Sequence, residues 1–454
     1  MRGEAALATG TCLLTLLWDL RKCYEYIRHW RLLREAELCE YPLAVLRLSL
    51  ASYRWPRHIR QGPLVADVLW PLRGIVAGSS HATFELKVFL LQTVRKHASE
   101  NPQLTAYIHV DDITQTVATP TGANTVRGLE VGARSLAEAL IELELPIAIE
   151  KNAVFGTHKM AVEDAVRRMS SLTGKPVKDV RNLGVDFTYS GKYRSVGATR
   201  VRRVRLKASA VKWRKARRLH ESGGKRSKVF IGGCLPMETY GLEVVGLTPA
   251  ELQRMRARTA GAIGIGKPGW TTHQAWACRP KLDPVKHCAA GLLQYCKEWW
   301  KATDGSSILR QEALSPAELR DAFNSAWQST NPLLPWAKQM AGPLSIMCLW
   351  LKFAGWSWIS PTHFTTSKGD GIMVLYGAPR LVRDFFAGEL ATKYLEISVA
   401  KTYVNHGLFG ENADMIAQPG LWLEPIQKLQ RSSKFSAHEK YFAAAICCGW
   451  GCHR

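Results

Sequence analysis

Residues 104–112 read LTAYIHVDD, an apolar run that ends in two adjacent carboxylates. This pattern predicts a β-strand over residues 104–110, which puts Asp111 and Asp112 where the strand gives way to a turn. Neighbouring carboxylates repel each other and destabilise a fold unless a cation neutralises them. An Asp-Asp pair is also common in exposed turns, so the pair alone leaves a metal site and a solvated turn both open.

A second apolar run, over residues 13–17, predicts another strand that leads into Asp19. If the two strands pair in one sheet, Asp19 and Asp111 can share divalent ions. Oxygen-rich ligands of this kind favour magnesium. Asp19, Asp111 and Asp112 are therefore the candidate catalytic and metal-binding residues.

The charge of the chain indicates its partners. Among 454 residues there are 61 Lys and Arg against 38 Asp and Glu, a net charge of +23. Polyanions are the expected ligands, although ribosome-associated and membrane-surface proteins are also basic. The 11 cysteines follow no regular spacing, which favours reduced thiols and an intracellular location, in the nucleus or the cytoplasm. No apolar run is long enough to predict a membrane-spanning helix.

The pattern of elements predicts an α+β fold. Through residue 195, short apolar runs alternate with amphipathic helical patterns. The predicted helices cover residues 24–38, 43–53, 84–97 and 131–143. The apolar stretch at residues 5–18 is interpreted as containing a buried strand rather than a signal peptide, because Glu4 precedes it and Asp19 follows directly.

A basic segment follows. Residues 200–228 carry 13 Lys and Arg but a single acidic residue, Glu221. A helix is predicted over residues 204–219, and the glycine pairs at 223–224 and 232–233 are expected to break the region into shorter elements. A solvated helix face usually carries both signs of charge, so this imbalance favours a surface that contacts phosphates. The candidate nucleic-acid-binding residues are Arg200, Arg202, Arg203, Arg205, Lys212, Arg214, Lys215, Arg217 and Arg218.

Five segments resemble, in the correct order, motifs of reverse transcriptases, most closely those of LINE-type non-LTR retrotransposons. They are residues 18–27 (WDLRKCYEYI), 74–80 (GIVAGSS), 108–112 (IHVDD), 145–152 (LPIAIEKN) and 182–185 (NLGV). Each motif is weak alone, but five in order are together specific. The resemblance covers about residues 12–266.

The resemblance implies a right-hand polymerase fold. Residues 1–195 would form a palm with an antiparallel sheet, packed helices and residual fingers. Residues 196–265 would form a basic helical thumb, and residues 266–454 a tryptophan-rich, mainly helical region without an assigned role. The tryptophans of this last region are interpreted as core residues rather than as base-stacking platforms.

The resemblance also implies roles for individual residues. Asp19, Asp111 and Asp112 would hold two Mg²⁺ ions, with Mn²⁺ as a substitute. Tyr24 falls at the position that blocks a ribose 2′-hydroxyl. Gly78 and Ser79 would contact the incoming nucleotide and the template, and Lys151 would lie near the triphosphate. Leu183 and Gly184 would belong to the primer grip.

The implied activity is template-directed DNA synthesis by attack of a primer 3′-hydroxyl on a dNTP. The implied partners are an RNA template, a DNA primer, dNTPs and other retroelement-encoded domains or proteins, without a membrane. His109 departs from the usual aromatic residue of the third motif, and Val76-Ala77 replaces the usual Pro-Gln of the second. The fingers expected before Asp19 are missing from the sequence.

Two alternatives follow from these departures and from the charge. The missing fingers favour a catalytically inactive retroelement remnant or a maturase-like basic RNA-binding protein. A basic ribosome- or membrane-surface protein predicts instead that Asp19, Asp111 and Asp112 lie far apart in the fold.

Overall fold

The chain folds into two compact units. The computed structural model describes residues 1–174, 176–177, 179–182, 185–188, 200–221, 226–263, 276, 282–303, 313–375 and 377–406. One unit is Thr9–Leu183, and the other joins Met1–Ala8 to Gly184–Arg454. The first boundary lies near the predicted end of the palm at residue 195, whereas the predicted thumb and C-terminal region share one unit. The architecture is mixed α+β with an antiparallel sheet and packed helices, as the sequence predicts.

Helix α1 (Arg2–Ala8) opens the chain and belongs to the larger unit. The elements of the Thr9–Leu183 unit then follow in chain order: β1 (Cys12–Trp18), α2 (Cys23–Tyr26), α3 (His29–Leu38), α4 (Leu43–Tyr53), β2 (Arg60–Gln61), β3 (Leu64–Val65), α5 (Ala82–Glu100), β4 (Leu104–His109), β5 (Asp112–Thr119), α6 (Gly122–Glu142), β6 (Ala153–Gly156), α7 (Lys159–Arg168) and β7 (Asp179–Asn182).

The sheet of this unit has the order β4-β5-β1-β6, and all its pairs are antiparallel. Strand β1 lies inside the sheet and every one of its residues is buried, which explains its continuous apolar sequence. The register between β1 and β5 runs from Cys12 opposite Thr119 to Trp18 opposite Ile113. The C-terminal end of β1 and the N-terminal end of β5 therefore lie at the same edge of the sheet.

The helix predicted over residues 24–38 is interrupted in the structure. Helix α2 ends at Tyr26 and α3 begins at His29, with the buried Ile27 in an extended conformation between them. The carbonyl of Ile27 accepts a hydrogen bond from the amide of Gly74 (2.7 Å), and that of Tyr24 accepts one from Ile75 (2.8 Å). The interruption thus exposes backbone groups that fix the segment after residue 73 against the segment after Asp19.

The larger unit is mainly helical but also contains strands. Its elements after residue 184 are β8 (Val185–Thr188), α8 (Arg200–Glu221), α9 (Arg226–Val229), a π-helical turn (Phe230–Cys234), α10 (Leu235–Thr239), α11 (Leu242–Val245), α12 (Pro249–Ile263), a 3₁₀ helix (Pro284–Ala289), α13 (Ala290–Thr303), α14 (Pro316–Ser329), a second 3₁₀ helix (Trp336–Lys338), α15 (Pro343–Phe353), β9 (Ser357–Ser360), β10 (His363–Thr365), β11 (Gly371–Met373) and α16 (Pro379–His406). Strands β9–β11 form a small antiparallel sheet.

The predicted break at Gly232 and Gly233 is wrong. Both glycines lie in the π-helical turn, which joins α9 to α10 without leaving the helical path. An extra residue in a helical turn accommodates the pair without ending the helix. The glycine pair at 223–224 lies outside the described residues.

Tryptophans form much of the core of the larger unit, as predicted. Trp299, Trp350 and Trp356 are buried, and the ring of Trp350 packs edge-on against that of Trp336 at 4.7 Å. Trp300, by contrast, is partly exposed on α13. In the helices that the structure describes, no segment is long and apolar enough to cross a membrane.

Candidate active site

The three predicted aspartates lie at one edge of the sheet. Because Trp18 pairs with Ile113, Asp19 and Asp112 occupy the next positions on adjacent antiparallel strands. His109 pairs with Asp112 across the β4–β5 hairpin, which leaves Val110 and Asp111 as its two-residue loop. The order of the strands in the sheet therefore places all three aspartates together.

The hairpin loop holds an unusual backbone conformation. Val110 has a φ of 63°, in the left-handed region that β-branched residues rarely adopt. A positive φ at the first of two loop residues fits the tight turns that join antiparallel strands. Such strain is found most often at functional sites, where the surrounding structure enforces it. Here it fixes Asp111 at the tip of the hairpin.

The strand register brings the three carboxylates together, and Asp111 and Asp19 influence the ionisation of Asp112. Burial raises the pKa of Asp112, and the negative charges of Asp111 and Asp19 raise it further. Burial also raises the pKa of Cys23 to about 12, with a further contribution from Asp111. The expectation of a ribosome- or membrane-surface protein, that the three aspartates lie far apart, is therefore wrong.

The segment at residues 145–152 lies beside Asp19. The Lys151 ammonium is 3.1 Å from a carboxylate oxygen of Asp19, in a partly exposed ion pair. The side-chain oxygen of Asn152 accepts a hydrogen bond from the amide of Asp19 (2.9 Å), and the carbonyl of Asp19 accepts one from Ala148 (2.9 Å). The sequence pattern gives no role to Asn152 or Ala148, although both fix the backbone of Asp19.

The loop that contains Gly78 and Ser79 forms a defined turn. The amide of Ser79 donates to the carbonyl of Val76 (3.0 Å), and Gly78 has a φ of 94°. A positive φ at the third residue of a four-residue turn defines a type II turn, in which glycine is favoured. The loop is joined through Ile75 to the carbonyl of Tyr24, so the first two motifs are adjacent.

A buried acid lies below this loop. Glu85, on α5, is fully buried and accepts a hydrogen bond of 2.6 Å from the hydroxyl of Tyr53. Burial and this hydrogen bond raise the pKa of Tyr53 to about 12, and the neighbouring Ser79 offsets a part of that rise. Glu85 thus joins α5 to the end of α4, a role that its place in an amphipathic helix pattern does not reveal.

The site lacks a closed set of metal ligands. Within the described residues, no group of three or more His, Cys, Asp and Glu side chains is arranged to hold a metal ion. The chemistry of the donors still suits a hard cation, since mutually repelling carboxylates are stabilised by one. In the structure the carboxylate of Asp19 forms its ion pair with the ammonium of Lys151.

We expect Asp112→Asn to raise the free energy of unfolding by about 0.2–1 kcal/mol at neutral pH, because like charges on opposed strand positions destabilise a sheet. Since the pKa of Asp112 is raised, this repulsion is present above that pKa and is lost as the pH falls through it. The gain should therefore shrink in acid. Urea titrations of the wild type and the variant at two pH values measure this difference in the free energy of unfolding. In the same titrations, added Mg²⁺ should stabilise the wild type more than the variant.

The basic helix α8 presents most of its predicted residues to solvent. Arg205 lies over the ring of Tyr240 at 4.3 Å. The exposed cations among the predicted residues are Arg203, Lys212, Arg214, Lys215 and Arg218. The side chains of Arg200 and Arg217, and residues Leu183 and Gly184 of the predicted primer grip, lie outside the described residues.

Arg202 does not belong to this exposed set. It is buried, donates a hydrogen bond to the carbonyl of Glu238 (3.0 Å) and lies 3.6 Å from the carboxylate of Glu251. The prediction that it contacts nucleic acid is wrong, because the helix turns this position towards the core. The apolar Val204, by contrast, is exposed.

Comparison of the chain with protein-family models and with curated proteins gave no match. The assignment of function therefore depends on the residues and geometry described above.

Proposed function

We propose that this chain is a reverse transcriptase-like nucleotidyltransferase, which extends a DNA primer on an RNA template. The observation that carries the proposal is the meeting of Asp19, Asp111 and Asp112 at the edge of one antiparallel sheet, with Lys151 beside them. The order of the five motifs along the chain supports the same proposal. Membership of the LINE-type retrotransposon enzymes is part of the same proposal.

The aspartates would act as the ligands of Mg²⁺. Bound Mg²⁺ would supply Lewis-acid stabilisation of the attacking 3′-hydroxyl and of the departing pyrophosphate. The paired strands fix the positions of Asp19 and Asp112, and the strained turn fixes Asp111. Pre-positioned charges of this kind need little reorganisation during the reaction.

Neighbouring residues would orient the nucleotide. Lys151 is partly exposed beside Asp19 and would exchange that ion pair for the triphosphate, which carries more negative charge. Tyr24 would lie against the sugar, and the turn at Gly78 and Ser79 against the base and template. The exposed cations of α8 would neutralise phosphates of the template–primer duplex.

A second candidate is a non-catalytic, maturase-like RNA-binding protein. Two observations favour it: the exposed cations of α8 need no metal to bind RNA, and Asp19 is paired with Lys151 rather than placed within a closed ligand group. The net charge fits both candidates equally.

Primer extension separates the two candidates. We expect the full chain to incorporate dTTP on a poly(rA)–oligo(dT) substrate in the presence of Mg²⁺, and chelation by EDTA to reduce incorporation to background. Mn²⁺ should restore part of the activity, because it accepts the same oxygen ligands. Tight binding of the substrate without incorporation under either metal would contradict the polymerase and favour the RNA-binding protein.

A further inference from the structure

An arm of the Thr9–Leu183 unit exposes apolar and aromatic side chains to solvent. Residues 54–73, here the 54–73 hairpin, contain β2 and β3 and follow α4. The backbones of Arg57 and Leu69 exchange two hydrogen bonds, of 2.9 and 2.8 Å, which close its base. Its exposed large apolar side chains include Trp55, Ile59, Leu64, Leu69, Trp70 and Leu72. Contiguous exposure of this kind marks an interaction surface.

The charge of the hairpin identifies the class of partner. It carries four arginines and one acidic residue, Asp67. Within the described part of the chain, none of these arginines forms an ion pair with a carboxylate. Trp55 and Trp70 are 67% and 68% exposed, so each presents aromatic surface to a ligand. The excess of arginine favours an anionic partner, and a nucleic acid provides both phosphates and flat bases.

We propose that the 54–73 hairpin binds single-stranded nucleic acid, with bases stacked on Trp55 and Trp70 and phosphates on Arg57 and Arg60. Single-stranded binding surfaces combine aromatic platforms with a positively charged groove in this way. Arg57 and Arg60 are exposed and donate to the backbone carbonyls of Tyr53 and Gly62. The bases of a duplex are already stacked on each other, so a duplex gains little from the indoles. The identification of the bound strand as an unpaired template rests on the proposed function. Binding itself requires no catalysis.

The test measures the affinity of the full chain for a fluorescein-labelled oligouridine by fluorescence anisotropy. The double variant Trp55→Ala/Trp70→Ala should bind at least about fivefold more weakly, given the usual contribution of one stacked base. Affinity for double-stranded RNA should change much less. Arg60→Gln should weaken binding and lower the slope of log affinity against log salt by about 0.7.

Trp30→Ala is the matched control, because Trp30 is another exposed tryptophan, on α3 and outside the hairpin. It should leave the affinity unchanged. Since both hairpin tryptophans are exposed, their replacement removes little buried surface, and unchanged circular dichroism would verify the fold. Crosslinking of a 4-thiouridine oligonucleotide, located by mass spectrometry, should label residues 54–73.

The outcomes are distinct. Unchanged oligouridine affinity in the double variant, or no binding by the wild type, would overturn the hairpin proposal. So would loss of self-association in the variant with nucleic-acid affinity intact, which would identify a second copy of the chain as the occupant. Tryptophan-dependent binding without any primer extension would support the hairpin proposal while the polymerase proposal fails.

Discussion

Asp111→Asn is expected to lower the rate of nucleotide incorporation on the order of a thousandfold. The amide keeps the size of the side chain but removes the negative charge that a magnesium ion requires. Metal-derived stabilisation of the transition state amounts to several kcal/mol, and each ~1.4 kcal/mol changes the rate tenfold. Single-nucleotide extension at saturating template–primer measures the rate directly. Asp112→Asn should have an effect of similar size.

Asp164→Asn provides the matched control, because Asp164 lies on α7 in surface ion pairs with Arg167 and Arg168. It should extend primers at close to the wild-type rate. Binding of the template–primer by Asp111→Asn should be unchanged or slightly tighter, since a negative charge is removed. Wild-type incorporation by Asp111→Asn would contradict a role for this carboxylate in the chemistry.

The strands at the centre of the site could be predicted, because their sequences are distinctive. The strands predicted over residues 13–17 and 104–110 correspond to β1 and β4. Direct pairing of these two strands was the condition under which Asp19 and Asp111 would meet, but β5 lies between them in the sheet. Strand β1 pairs instead with β5, in a register that depends on contacts between residues about a hundred positions apart. Once that pairing exists, the positions of Asp19 and Asp112 follow.

Details that depend on tertiary contacts could not be predicted. The interruption between α2 and α3 is stabilised by hydrogen bonds from Gly74 and Ile75, some fifty positions away. The helical spacing of apolar residues does not reveal this interruption. Likewise, the burial of Arg202 depends on its carbonyl and carboxylate partners in later helices, so a basic segment alone does not show which of its cations face solvent.

A buried long-range ion pair of the larger unit was equally hidden in the sequence. Arg256, on α12, donates to both carboxylate oxygens of Asp283, at 3.0 and 2.8 Å. Their side chains are only 2% and 1% exposed. Asp283 also accepts a hydrogen bond from the amide of Val285 and so caps the following 3₁₀ helix. Nothing in the local pattern indicates that these charges meet.

Arg256→Met is expected to lower the free energy of unfolding of the larger unit by about 3–5 kcal/mol. The substitution leaves the carboxylate of Asp283 buried without its cation, and breaking a buried pair on one side costs this much. Hydrogen–deuterium exchange of the α12 amides reports on the larger unit separately from the sheet of the other unit. Their protection should fall by at least about a hundredfold.

Two comparisons establish whether the pair itself is responsible. Arg254→Met, at an exposed position of the same helix, should change stability by no more than about 0.5 kcal/mol. Arg256→Met/Asp283→Asn removes both charges while the asparagine oxygen can still cap Val285, so it should recover much of the loss. If the double variant is as unstable as Arg256→Met alone, lost packing of the arginine would explain the effect, and the uncompensated charge would not.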